Sequence, residues 1–165
     1  LAKPVVCAVN GVAAGAGANI VFGCDIVLAA TTAKFVQSFA KVGLIPDAGG
    51  TYHLTQILGP LRAKAWAMTA APITAQTAQD WGLVWQCFEP GALLEAAQQM
   101  TADLAKGATL GLAQTKHAIH KAGQIDLEAH MALEAEIQRA CGQSADYLEG
   151  VTAFLDKRPA KYSGS

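Results

Sequence analysis

Pro4-Val5-Val6-Cys7-Ala8-Val9, followed by Asn10-Gly11-Val12-Ala13-Ala14-Gly15-Ala16-Gly17-Ala18-Asn19, is the stretch that decides the fold. The first run is short, apolar and closed by Asn10-Gly11, the pattern of a buried strand running into a turn. The second is a glycine- and alanine-rich turn that passes into Asn19-Ile20-Val21-Phe22-Gly23-Cys24, read as a short helix packed closely on a sheet. Ile26-Val27-Leu28-Ala29-Ala30 reads as the next strand and Lys34-Phe35-Val36-Gln37 as another. Strand, turn, helix and strand in that order predict an α/β layer with a mostly parallel sheet.

Beyond Ala48 the apolar period becomes helical. Tyr52, Leu54, Ile57 and Leu58 form one stripe, and Leu61 to Met68 continue it. Thr74 is placed to cap a helix over Ala75 to Trp81, with Gly82 ending it and Leu83 to Phe88 forming one more strand. Helices are then predicted at about 91–106, 110–121, 127–141 and 144–157, with a frayed end at Ser163-Gly164-Ser165. The change from α/β core to helices falls near Pro90, dividing the chain into 1–89 and 90–165.

Composition narrows the function. With 52% apolar and 15% charged residues the chain buries a core, and some apolar surface is expected to be covered by a partner subunit. A net charge of −1 argues against nucleic acid or an anionic membrane surface as partner. No apolar run reaches membrane-spanning length. Cys7, Cys24, Cys87 and Cys141 are scattered without paired spacing, which points to a reducing cytoplasm and to neither a disulfide framework nor a metal site. His117, His120 and His130 read as surface histidines, and Trp66, Trp81 and Trp85 as core or interface residues. Asp146, Glu149 and Asp156 with Lys157 and Arg158 read as an ordinary polar helix face.

Two segments carry chemistry. In Gly11 to Asn19 the glycines permit close backbone approach, and a helix N-terminus aims free N–H groups at negative charge, with Gly15-Ala16-Gly17 the best donor position. The same small residues also suit plain helix–strand packing. Asp47, in Leu44-Ile45-Pro46-Asp47-Ala48-Gly49-Gly50-Thr51, is either a proton carrier or the N-cap of the following helix. His53 is placed to line the same region.

Lys3 to Gly11, the turn ending in Cys24-Asp25-Ile26, Ile45 to Thr51, Ile73-Thr74-Ala75-Gln76, Trp81-Gly82-Leu83-Val84 and Glu149 to Arg158 together resemble the crotonase, or enoyl-CoA hydratase/isomerase, superfamily across the whole chain. The resemblance implies a spiral of ββα units, of which this chain is the C-terminal part, then a helical trimerisation region, and a homotrimer or homohexamer. It implies acyl-CoA thioester substrates, with CoA part of the substrate and no separate cofactor. It places the second oxyanion donor on the backbone of Ala16, flanked by Gly15 and Gly17, and the first in a segment preceding Leu1. The two glutamates by which the family's hydratases activate water correspond to Asn19 and Phe39, so simple hydration is not expected. Asp47 matches the lone acid of some family isomerases, and Lys157 a position that can reach CoA phosphate. Phe35 to Asp47, Asp80 to Gln86 and Gln143 to Val151 resemble most the isomerases of aerobic phenylacetate degradation. Those convert ring-1,2-epoxyphenylacetyl-CoA to oxepin-CoA, and many shift a 3-enoyl double bond to position 2. An enoyl-CoA Δ3,Δ2-isomerase, another enzyme of the superfamily such as an aryl-CoA dehalogenase, and an inactive fragment are the alternatives.

Overall fold

Four residues of β-branched and small apolar type, Val6–Val9, make strand β1 before Asn10 and Gly11 turn the chain. The computed structural model describes residues 1–165 and divides them into two compact units. One is Val5–Gln99; the other is Leu1–Pro4 with Met100–Ser165.

In the unit of Val5–Gln99, β1 is followed by β2 (Val12–Ala14), α1 (Ala16–Phe22), β3 (Ile26–Ala30), β4 (Lys34–Val36), a 3-10 turn over Ser38–Val42 and α2 (Gly50–Thr69). Then come β5 (Ile73–Thr74), α3 (Ala75–Asp80), β6 (Gln86–Phe88) and the first part of α4 (Leu93–Lys106). The strands form two three-stranded sheets, ordered β1-β3-β6 and β2-β4-β5. All pairings are parallel except the antiparallel pair β4–β5. The parallel α/β reading therefore holds, but the single sheet becomes two. The glycine-rich turn contains a strand of its own, β2, so β1-β2-α1 and then β3-β4-α2 each deliver one strand to each sheet.

Alanines at Ala29, Ala30, Ala75 and Ala78, all fully buried, let helix and sheet approach closely, and Leu28 and Phe35 fill the space between them. Phe22 lies between Phe35 (5.6 Å) and Trp66 (6.0 Å), and Trp66 meets Trp81 edge-on at 6.1 Å. Such pairs add about 0.5–1.5 kcal/mol each beyond the area they bury. The Trp66 indole donates to Ala71 O at 2.8 Å, so its one polar atom is satisfied. Trp85, by contrast, is 72% exposed. Helix α2 is interrupted at Gly59 (φ 72, ψ 162), immediately before Pro60, where the missing N–H breaks the ladder. The Thr74 hydroxyl accepts from Thr77 N, as the cap reading requires. The strand expected over 83–88 shrinks to Gln86–Phe88, because Leu83 and Val84 are buried in the turn that leads into it.

The other unit is helical, with the remainder of α4, α5 (Thr109–Lys121), α6 (Leu127–Gly142) and α7 (Ala145–Leu155). Here three expectations fail. Ser163 to Ser165 do not fray. Asp146 is buried at the start of α7, and its carboxylate takes the N–H of Ser163 and of Gly164 and the Ser163 hydroxyl, while Asp146 N donates to Ser165 O. A buried carboxylate is tolerated only when so paired, and the terminal residues are its donors. Nor is the acidic face of α7 merely solvated. Glu149 receives both Arg158 Nη atoms (2.7 and 3.0 Å) and the backbone N–H of Lys161 (2.7 Å). His130 is half-buried and lies 3.3 Å from Glu134, so it is not a simple surface histidine.

The Arg158 hydrogen bonds, and after them the Lys161 N–H, hold the Glu149 carboxyl down from 4.5 to about 2. A depressed acid stabilises the fold above its unfolded value and loses that contribution as pH falls toward the folded one. Acid titration of the melting temperature between pH 4.5 and about 2 should therefore be steeper for the native chain than for Glu149→Gln.

Candidate active site

The site is built where β2 ends. Gly15 continues the β2–β4 ladder, donating to Val36 O at 2.9 Å, and then turns with φ 53 and ψ −128 into α1. That left-handed backbone needs glycine, and a Cβ there would also press on Ser38 Oγ (3.3 Å) while touching the Phe39 ring (3.5 Å). Helix α1 starts at Ala16 with no side-chain cap and no acid in its first turn. The first N–H groups of a helix have no partner within it, so those of Ala16 and Gly17 are available to an anion. Ala16 is half-buried and Gly17 exposed. Phe39, buried in the 3-10 turn, places its ring edge against Gly15.

The Asp47 loop follows. Ala48 (φ 46) and Gly49 (φ 78) are both left-handed, and Gly50 N returns to Asp47 O at 2.7 Å. For Ala48 this conformation costs about 1–2 kcal/mol, so the surroundings must hold it. The N-cap of α2 is Gly49, without a side-chain hydrogen bond. Asp47 is thus not the cap; its carboxylate is exposed and leaves the helix N-terminus alone.

What joins the two segments is a pair of fully buried amides. Asn19 Nδ2 donates to Asp47 O at 2.9 Å, and Gln37 Nε2 donates to Asn19 Oδ1 at 2.8 Å. Gly50 packs directly on the Asn19 amide, leaving no room for a Cβ. His53, one helical turn on, sits beneath the loop, its Nε2 filling the space beside Gly49 and Gly23. Gly15, Ala16, Gly17, Asn19, Phe39 and Asp47 thus belong to one neighbourhood. Lys157 belongs to the other unit, exposed just after α7 with φ 54. Gln37 and Gly50 were not singled out by sequence; a polar residue closing an apolar strand was the only signal for Gln37. Cys7 is no candidate nucleophile, because burial first, and the adjacent Cys24 thiol next, push it up to about 11.

The enoyl-CoA hydratase/isomerase family model matches residues 1–165. The chain belongs to that family. It is 48% identical over 99% of its length to the 1,2-epoxyphenylacetyl-CoA isomerase of Escherichia coli (strain K12), covering 63% of that protein. It is 34% identical over 99% of its length to the trans-2-decenoyl-[acyl-carrier-protein] isomerase of Streptococcus mutans, covering 62% of it. A crystal structure of an enoyl-CoA hydratase from Bacillus anthracis superposes with a TM-score of 0.96 at 33% identity, over 100% of this chain and 64% of that one. The chain therefore spans less than two thirds of the length of these relatives. The crotonase fold is present as α/β units with parallel strands and C-terminal helices, and relatives of this family act on CoA thioesters. No helix is long and apolar enough to cross a membrane.

Because Gly50 lies against the Asn19 amide, Gly50→Ala should force Asn19 off Asp47 O and destabilise the fold by about 1–3 kcal/mol, as overpacking does. Chemical denaturation of the two proteins measures it.

Proposed function

We propose that the protein is an acyl-CoA isomerase that converts ring-1,2-epoxyphenylacetyl-CoA to oxepin-CoA in aerobic phenylacetate degradation. The observation that carries this reading is the exposed Asp47 carboxylate, the only acid between Ile26 and Gln79. Asp25, the nearest acid before that stretch, already accepts from Val5 N at 2.7 Å. The positions that resemble the hydratase glutamates hold Asn19 and Phe39, so no pair of carboxylates is present there to activate water. The 48% identity to an isomerase named for this substrate supports the same choice.

In this reading the thioester oxygen lies at the first turn of α1. The Ala16 N–H, with a second donor from the rest of the protein, stabilises the enolate, each donor contributing about 3–4 kcal/mol. A backbone donor does not depend on the side chain, so alanine serves at position 16 as glycine would. Gly15 and Gly17 keep the approach to that donor open, and Phe39 beside Gly15 bounds the acyl group and keeps water out. Asp47 takes a proton from the acyl chain and returns it to another carbon, or assists opening of the ring epoxide; both reactions conserve every atom of the substrate. Shift of a 3-enoyl double bond to position 2 is the second reading, favoured by the identity to a decenoyl-thioester isomerase. Lys157 is assigned to CoA phosphate. The helices of 90–165 are assigned to a homotrimer, or a homohexamer of two trimers. The exposed Leu148, Phe154 and Leu155 on α7 support that assignment. A cytoplasmic location accords with four free cysteines.

Incubation with ring-1,2-epoxyphenylacetyl-CoA and, separately, 3-hexenoyl-CoA tests the reading, with products followed by liquid chromatography and mass spectrometry. Oxepin-CoA formation is expected, and Asp47→Asn should lower kcat roughly 10²–10⁴-fold at an unchanged melting temperature. Undiminished turnover in that variant removes Asp47 from the mechanism.

A further inference from the structure

We propose that Asn19 and Gln37 are positioning residues: two buried amides in series that pin the backbone of Asp47 and so aim its carboxylate. The proposal rests on Asp47 being the acid. Its side chain caps no helix and is exposed, so the backbone that carries it sets the point from which the carboxylate projects. That backbone is unusual, with left-handed Ala48 and Gly49 directly after Asp47. Asp47 O is held from two sides, by Gly50 N at 2.7 Å and by Asn19 Nδ2 at 2.9 Å.

The orientation of both amides is dictated from the loop end. A carbonyl can only accept, so Asn19 must turn Nδ2 toward Asp47 and Oδ1 away from it. Oδ1 then needs a donor, and Gln37 supplies Nε2 at 2.8 Å. Neither side-chain amide is exposed, so an Asn19 Nδ2 or Oδ1 that loses its partner has no ready access to solvent. Gln37 Oε1 is buried with no partner, so the orientation of this side chain is chosen for what Nε2 does. Gly50 completes the arrangement by leaving the Asn19 amide its place.

Asn19→Asp is nearly isosteric and sets an oxygen against Asp47 O; Gln37→Leu removes the second donor without adding charge. Hydrogen–deuterium exchange over residues 44–53 and kcat and KM for 3-hexenoyl-CoA are measured for both, beside Asp47→Asn, with melting temperatures to confirm folding. The expected result is faster exchange at 44–53 with β3 unchanged, and kcat lower by roughly tenfold to a hundredfold at little-changed KM. Gln37→Glu adds a signature that mere packing lacks. Its carboxyl donates to Asn19 only when protonated, so kcat relative to the native chain should recover as pH falls. Native exchange at 44–53 in Asn19→Asp and Gln37→Leu overturns the proposal, whatever the turnover. Inactivity of Asp47→Asn with full kcat in the other two overturns the pinning and keeps the acid. Full activity of Asp47→Asn overturns the acid, and the positioning role with it.

Discussion

The hydrogen bond from Asn19 Nδ2 to Asp47 O is the constraint around which this half of the molecule is arranged. It joins the first helix to a loop that lies 28 residues further along the chain, from a donor that is fully buried. A buried amide left unpaired costs about 1–3 kcal/mol, so Asn19 is given a partner for both its polar atoms, at the expense of Gln37 Oε1, which is buried without one. Pairing Asn19 explains two otherwise unrelated choices. Gln37 closes an apolar strand because Asn19 Oδ1 needs a donor, and Gly50 begins α2 because a Cβ would collide with the Asn19 amide.

The same bond separates two functions that Asp47 might have combined. A carboxylate that capped α2 would be held ionised by helix N–H groups and would be a weak proton carrier. Here Gly49 occupies the cap position, the backbone of Asp47 carries the structural duty through its carbonyl, and the side chain is released. Fold stability thus draws on the carbonyl of this residue, and the proposed chemistry on its carboxylate. Gly15 shows a comparable division: its backbone continues the sheet to Val36 O, and its lack of a side chain opens the start of α1.

Carboxylates do the tying in the helical unit. Asp146 gathers the N–H groups of the last residues, and Glu149 gathers Arg158 and Lys161, so the segment beyond α7 folds back onto it. Tyr162 accordingly packs beside Gly150, where an added Cβ would lie 3.3 Å from its hydroxyl. Acids on a helix near a chain end are easily read as solvent-facing; here donor-rich loop backbone makes them interior anchors.

Sequence by itself determined the α/β class, most of the strands and helices other than β2 and β5, and the Thr74 cap. These follow from local rules: period, turn residues and backbone freedom act over a few positions. The motifs also carried the family. Only the tertiary structure decided that β1 and β2 enter different sheets, that Asp47 is not a cap, and that Asp146 is buried. It alone brought Gln37 and Gly50 to Asn19. The physical reason is range: the hydrogen bonds of the Asn19 side chain reach residues 18 and 28 positions away, and no local pattern records which distant partner a buried amide will find.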